Sequence, residues 1–429
     1  MVYWIFWTIV NIALRVFYKR LYISGADKIP NRKPVILACN HPNSFLDAIS
    51  LTVQLKRPLY FFARSDAMNT PLKRKLLGLF NIHPIYRIQE GKENLLKNEG
   101  TFNIGYNVLK NNGTVFIHSE GICVVEKRLR KLKKGTARMA FHAFDNNNFE
   151  LDTHVVPVGF NYTYPRHFRQ ELILSLGEPF PVSNFKEIYI DNPAVAINKF
   201  NEKLNEELVK NVVIIKNQQN DQLCEELFII QRNNNPQSLF PWKTKNNKRF
   251  LREKKLADTV NQISESNSVI YNSASKKVKQ YFEQLKKLGI TDLFLLKNKY
   301  HLLLSTLLSI ILFPIYAFGK LLNSLPIFLG KIIKKKTAGK GVFFDSVLFG
   351  SSMLIYIIYM IILSIIIAFM PIGPGWIYIL IILFTGYISV IIDHLYNYLF
   401  TAIKANKMNK KKKEQLQTMR KEICNIFSI

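Results

Sequence analysis

The chain has 429 residues, 48% of them apolar, which is enough for one large domain with added elements or for two domains with a sizeable core. Lys and Arg number 59 against 30 Asp and Glu, a formal charge of +29 that points to a polyanionic partner, either nucleic acid or an anionic membrane surface. The four cysteines, Cys39, Cys123, Cys224 and Cys424, include no C-x-x-C pair, which argues against a zinc ribbon or a disulfide framework and fits a reducing compartment.

Residues 1–20 are apolar and aromatic, with Tyr3, Trp4, Trp7 and Tyr18. No basic stretch precedes the apolar run and no small-x-small site follows, unlike a signal peptide. The segment reads as a membrane-associated helix, with Arg15, Lys19 and Arg20 at the headgroup side.

Residues 21–212 alternate short apolar runs with amphipathic segments. Lys33–Cys39, Leu59–Ala63, Thr114–His118, His154–Tyr162 and Glu171–Leu176 read as strands. Their apolar residues run continuously, which suits strands covered on both faces, and Asn103–Lys110 and Thr136–Phe144 have helical spacing between them. Strand and helix in repetition predict an α/β domain with a mostly parallel sheet flanked by helices.

Residues 213–299 are more polar and carry a dense basic run, Trp242–Lys255, and a helical pattern, Ala274–Ile290. They read as a basic helical connector whose charge either faces solvent or meets anionic headgroups. Residues 300–398 are membrane-like. Ser351–Met370 has no charge over a bilayer-spanning length, Pro371–Gly375 turns the chain, and Trp376–Ile392 returns. This predicts a transmembrane hairpin at 351–392. Lysines at 331–340 and 404–413 flank it, so both flanks are expected on the cytoplasmic side, with the α/β domain on the same face. The apolar segment 301–330 is too short for two ordinary spans and is expected to be re-entrant or in-plane, kinked at Pro314 and Pro326. Residues 399–429 form a basic cytoplasmic tail.

The stretch CNHPNSFLDA, 39–48, places His41 just past the end of an expected buried strand, where open α/β sheets bind ligands. A histidine there can serve as a general base, and Asp47 can hold its other ring nitrogen. The same stretch also fits a capping box, with Ser44 at the N-cap and Asp47 at N3. Both readings use the same carboxylate oxygens.

In order along the chain, NHPNSFLDA, then IHPIYR (82–87), VFIHSEG (115–121) with LKKG (132–135), and VVPVGFNY (155–162) resemble the four blocks of the glycerolipid acyltransferase family, which includes lysophosphatidate and glycerol-3-phosphate acyltransferases. The resemblance covers about residues 20–212. Two departures stand out. The family places four residues between its histidine and aspartate, where this sequence has five. Its third block is usually Phe-Pro-Glu-Gly, where this sequence has His118-Ser119-Glu120-Gly121. The resemblance implies an acyltransferase of phospholipid synthesis, with phosphatidic acid as product, acting on 1-acylglycerol 3-phosphate. Glycerol 3-phosphate and dihydroxyacetone phosphate are the alternative acceptors. It implies His41 as base and Asp47 as its orienting partner. Arg87 and Lys133 would meet the acceptor phosphate, and Glu120 and Gly121 would line the acceptor site. Pro157 would lie on the acyl-donor side. The donor would be acyl-CoA or acyl-ACP as co-substrate, with no further cofactor and no metal required.

Among the other candidates, Cys39 follows a continuous apolar run and reads as a buried side chain. Residues 91–100 hold glycines without phosphate-loop spacing. The basic runs sit beside apolar spans and not on a nucleic-acid module, so membrane lipids are the expected polyanion and nucleic acid is not. A different class remains open, a non-catalytic lipid-binding scaffold that keeps the α/β domain as a binding module.

Overall fold

The structure, a computed structural model, describes residues 2–429 apart from 56, 87–90, 92, 94–95, 165–166, 237–241, 297–298, 338–340, 372 and 406–407. It divides into two compact units. The first holds Met1–Val213, Trp242–Phe250 and Lys340–Ser346; the second holds Ile214–Pro241, Leu251–Gly339 and Val347–Ile429.

The first unit is an α/β layer structure. Its strands are β1 (Arg20–Ser24), β2 (Val35–Cys39), β3 (Leu59–Arg64), β4 (Ile82–Ile85), β5 (Thr114–His118), β6 (His154–Tyr162), β7 (Glu171–Leu176), β8 (Phe180–Pro181) and β9 (Lys243–Thr244). Its helices are α1 (Val2–Phe17), α2 (Phe45–Thr52), α3 (Pro71–Gly78), α4 (Asn98–Lys110), α5 (Gly135–Asp145), α6 (Lys186–Asp191) and α7 (Pro193–Asn211). One sheet runs in the order β4-β3-β5-β2-β6-β7-β1-β9, with β8 alongside β6. The joints from β4 to β6 are parallel, β6 and β7 are antiparallel, and β7, β1 and β9 are parallel again. The mostly parallel sheet expected from the continuous apolar runs is therefore present.

One face of the sheet is covered by helices. Ile36, Ala38, Val115 and Val155 pack with Ala137, Ala140, Phe141 and Phe144 of α5 and with Phe200, Leu204 and Leu208 of α7. The period-two side chains of the strands meet the helical period of α5 and α7 in this layer. β4 carries a proline, and it pairs only with β3 at the sheet's edge, the place where a missing N–H does no harm. Pro157 sits inside β6, between the residues paired with β8 (His154, Val155) and those paired with β7 (from Val158). A residue without an N–H falls where the strand changes partner.

Two sequence expectations differ from the structure. Residues 213–299 were expected to form one basic helical connector, but Trp242–Phe250 belongs to the first unit. There Leu21 N–H donates to the Trp242 carbonyl at 3.0 Å, covering β1, which would otherwise be an exposed edge. Arg249 in the basic run is buried, paired with Glu171 at 3.1 Å and stacked over Tyr22. The first helix is also part of this unit. Val10, Leu14 and Phe17 are buried, while Trp4, Ile5, Ile9 and Ile12 remain exposed along the helix. Leu72, Leu76 and Leu79, in and just after α3, are exposed as well.

The second unit is helical: α8 (Asp221–Asn234), α9 (Lys248–Ser266, its first turn in the first unit), α10 (Ser268–Leu288), α11 (Asp292–Leu296), α12 (Lys299–Thr337), α13 (Phe344–Ala368), α14 (Gly375–Ala405) and α15 (Lys410–Phe427). Gly289 ends α10 in the left-handed region, at φ 64°, and donates to the carbonyls of Leu285 and Lys286. Buried Asp292 accepts from Arg420 Nε of α15 at 2.8 Å, from Asn233 of α8 at 2.8 Å and from the Tyr281 hydroxyl of α10.

Helices α12, α13 and α14 are each long and apolar enough to cross a membrane. Segment 301–330 lies within a single 39-residue helix that contains both prolines. The N–H that Pro326 lacks would have met the Leu322 carbonyl. The Tyr359 hydroxyl supplies that bond at 2.7 Å. Small residues let the helices approach. A Cβ on Gly386 would lie 2.5 Å from the Asn323 side chain, which bonds the Ile382 carbonyl at 3.1 Å.

The Arg249–Glu171 pair gives a stability prediction. Arg249→Met alone strands a buried carboxylate and lowers stability by about 3–5 kcal/mol. The double variant Arg249→Met/Glu171→Met recovers much of that loss in thermal unfolding.

Candidate active site

The parallel register of β2 and β5 pairs Cys39 with His118 at the carboxyl ends of both strands. Two residues past Cys39, His41 thereby comes beside His118, and their rings stack with centroids 3.4 Å apart at 23°. The His41 backbone is held on both sides. Its N–H donates to Glu120 Oε2 at 3.2 Å, and its carbonyl accepts from Val124 N–H at 3.1 Å. Asn40 ties the end of β2 to β6 by two bonds to the Phe160 backbone, at 2.7 and 3.1 Å.

Asp47 lies in the first turn of α2 and is fully buried. Its Oδ2 accepts from His41 Nδ1 at 3.0 Å and from Asn43 N–H at 2.9 Å; its Oδ1 accepts from the Tyr162 hydroxyl at 2.7 Å. All three bonds suit the ionised form. Charge-assisted bonds of this kind contribute about 1.5–3 kcal/mol each. Burial pushes the Asp47 carboxyl above the ordinary carboxylate range, opposed first by the bond from His41. With Nδ1 turned to Asp47, Nε2 is the His41 nitrogen that can take a proton from a substrate.

The capping box expected at Ser44 does not form. The Ser44 side chain makes no cap bond, and the residue sits at φ 53°, ψ −139°, a costly conformation for a side-chain-bearing residue. Its N–H donates to Cys123 Sγ at 3.0 Å. The turn thus commits the Asp47 carboxylate to His41 and Asn43, and the extra residue in the His–Asp spacing is taken up there. Burial raises the Cys123 thiol to about 12 and holds the Cys39 thiol well above its ordinary value, so neither offers a thiolate.

Glu120 is buried, and both of its oxygens are engaged: Oε2 by His41 N–H and Oε1 by Arg130 N–H at 3.1 Å. Burial raises its pKa. Its observed contacts brace the backbone of His41 and of the 121–130 loop. Gly121 is at φ +65°, and a Cβ there would come within 2.9 Å of Lys133 Cγ. Lys133 is exposed, anchored by its N–H to the Ser119 carbonyl at 2.8 Å. Arg130 and Arg128 flank Glu126 at 2.7 and 3.0 Å. Pro157 is buried in β6. Arg87 lies outside the described residues.

Three contributors escaped the sequence reading: Tyr162, Asn40 and the stacking role of His118. Tyr162 ends the VVPVGFNY block, and its position at the carboxyl end of a strand was the available signal. His41, Asp47 and His118 also bring ligand atoms within 4.8 Å of one another, a spacing that suits a metal. The 3.0 Å His41–Asp47 bond is the geometry of a base and its orienting carboxylate.

Residues 20–161 match the Acyltransferase family model, a stretch running from the first residue of β1 to the penultimate residue of β6. It includes the strands and turns that carry His41, Asp47 and Glu120, so the candidate site lies within the matched stretch. Among solved structures, the chain is similar to the 1-acyl-sn-glycerophosphate (LPA) acyltransferase PlsC of Thermotoga maritima, with 18% identity, 46% of this chain and 78% of that chain covered, and a TM-score of 0.31. No curated protein matches it.

His118 carries a pH signature. Burial first, and the neighbouring His41 second, hold it well below the usual histidine value. The unfolded chain protonates this residue near pH 6.5 while the folded chain does not. The resulting contribution to stability is complete above about pH 6.5 and is lost as the pH falls toward the folded value, at up to about 1.4 kcal/mol per pH unit. Thermal unfolding of His118→Phe is expected to show a shallower loss of stability between pH 7 and 5 than wild type. Parallel slopes would refute this reading.

Proposed function

We propose that the protein is a membrane-bound O-acyltransferase that moves a fatty acyl group from acyl-CoA or acyl-ACP to a hydroxyl of 1-acylglycerol 3-phosphate. The observation that carries this is a histidine at the carboxyl end of parallel strands, its Nδ1 held at 3.0 Å by a buried carboxylate, within the stretch that matches the Acyltransferase family model. The acceptor hydroxyl attacks the thioester carbonyl as its proton passes to His41 Nε2. The tetrahedral oxyanion then collapses, the C–S bond breaks, and the imidazolium returns its proton to the departing thiolate. Asp47 keeps His41 in the Nδ1–H tautomer and balances the transient imidazolium; such base catalysis contributes about 100- to 10,000-fold. Lys133, with Arg87 by its place in the sequence, meets the phosphate, and Gly121 leaves room for the acceptor. Glu120 contributes by fixing the His41 backbone, and Pro157 by shaping β6.

The lipid setting follows from α12 to α14 and from the exposed apolar residues of α1 and α3. Arg420 of the tail and Asp292 of the connector form a buried ion pair, which supports a topology with both segments on one face of the membrane. With α13 and α14 as two crossings, α12 begins and ends on that face. The lysines at 331–336 and 404–413 support a cytoplasmic assignment of that face.

Two measurements test this. In product-identified acyl transfer across lysophosphatidate, glycerol 3-phosphate and dihydroxyacetone phosphate, lysophosphatidate is the preferred acceptor. His41→Ala and Asp47→Asn lower kcat by about 100-fold or more. Lipid binding without product would leave the scaffold reading in its place. Cysteines placed at Lys334 and Gly373 in sealed vesicles should label from opposite faces; labelling from the same face contradicts the topology.

A further inference from the structure

We infer that Asp345 and Ser346, some 300 residues from His41 in sequence, are positioning residues for the His41–Asp47 pair. The inference rests on the acyl-transfer reading for its activity assay and on hydrogen-bond geometry for its substance. Both residues belong to the first unit and form the first turn of α13 with Phe344. Both are buried, Asp345 at 2% and Ser346 at 0% exposure.

A helix start leaves N–H groups without intrahelical partners, and the N-cap side chain ordinarily takes one of them. In α2, Ser44 does not do so. Ser346 takes that part from a distant segment. Its Oγ accepts from Leu46 N–H at 3.2 Å, a donor shared with the Asn43 carbonyl at 3.2 Å, and its own O–H donates to that same carbonyl at 3.1 Å. One hydroxyl therefore closes both sides of the turn.

Asp345 fixes the side chain in the same turn. Its Oδ2 accepts from Asn43 Nδ2 at 3.1 Å and from Gln170 Nε2 at 3.1 Å. The Asn43 N–H in turn donates at 2.9 Å to Asp47 Oδ2, the oxygen that holds His41 Nδ1 at 3.0 Å. A continuous set of bonds thus runs from the head of an apolar helix through Asn43 and Asp47 to His41. A buried carboxylate left without donors is costly, so the helix head and the turn hold each other in place. Ser44, at its strained φ, lies within the span these bonds clamp. The structure assigns the service of a local N-cap to a residue of α13, which makes the geometry of the base dependent on where that helix begins.

The test uses full-length protein in detergent with lysophosphatidate and acyl-CoA. Ser346→Ala and Asp345→Leu are expected to lower kcat by about 10- to 100-fold, the scale of a small misplacement of reacting groups. KM for both substrates should stay within about twofold, since neither residue meets substrate. Asp345→Asn keeps an acceptor oxygen and should retain most of the activity. As a readout independent of turnover, diethyl pyrocarbonate labelling of His41, followed by mass spectrometry, should quicken in Ser346→Ala and Asp345→Leu. Unchanged kcat and unchanged labelling in folded variants would overturn the inference. So would equal losses in Asp345→Asn and Asp345→Leu, which would show that bulk and not hydrogen bonding matters. A wild type inactive on every acceptor would sink the acyl-transfer reading; quickened labelling would then still support the positioning role, and unchanged labelling would end it.

Discussion

A carboxylate with no access to solvent needs donors, and Asp47 finds three of them on two separate pieces of chain, the 41–43 turn and the end of β6. That requirement organises the first unit. His41 comes from the end of β2, Tyr162 from the end of β6, and the Asn43 N–H from the turn that starts α2. Removing any of them leaves the others around a charge that the interior penalises. The same cost that makes the arrangement demanding ties the placement of His41 to that of Asp47. The Tyr162 phenol, itself raised well above its usual value by burial and by Asp47, stays protonated and keeps donating.

The sheet delivers these groups to one place because its central joints are parallel. In parallel strands, register aligns carboxyl ends, so Cys39, His118 and Val158 stand in a row, and the residues beyond them converge. Backbone braces then remove the freedom that remains. Glu120 holds the His41 N–H, Val124 its carbonyl, and Asn40 the end of β6. A ring stacked on His118 and tied at both backbone groups loses little entropy on meeting a substrate.

Much of this was legible in the sequence where the signal is local. Continuous apolar runs gave β2, β3, β5, β6 and β7 with nearly their observed limits; β2, β6 and β7 are buried along almost their whole length and so have no polar face to disguise them. The ordered blocks brought His41, Asp47, Glu120, Gly121, Lys133 and Pro157 to attention. What escaped depends on contacts distant in sequence. The capping box looked sound at Ser44 and Asp47, since spacing alone cannot tell that Ser346 replaces the cap. β9 has two residues and pairs only at an edge, so it leaves no periodic trace. Glu120 resembled a substrate-facing carboxylate because its backbone donors, His41 and Arg130, are invisible to pattern. The apolar segment 301–330 was expected to kink at its prolines, and nothing local announces that one helix runs through both, with Tyr359 bonding the carbonyl left open at Pro326.

The claim on which the rest depends is that Asp47 fixes His41 as the Nδ1–H tautomer, with Nε2 free to accept a proton. Nitrogen-15 NMR of histidine-labelled full-length protein in detergent, with the His41 signals assigned by difference from His41→Gln, reads this tautomer directly. For the neutral ring the account predicts a protonated Nδ1 and an unprotonated Nε2, giving way to a mixture of tautomers in Asp47→Asn. A His41 protonated at Nε2 and bare at Nδ1 in the wild type would contradict it.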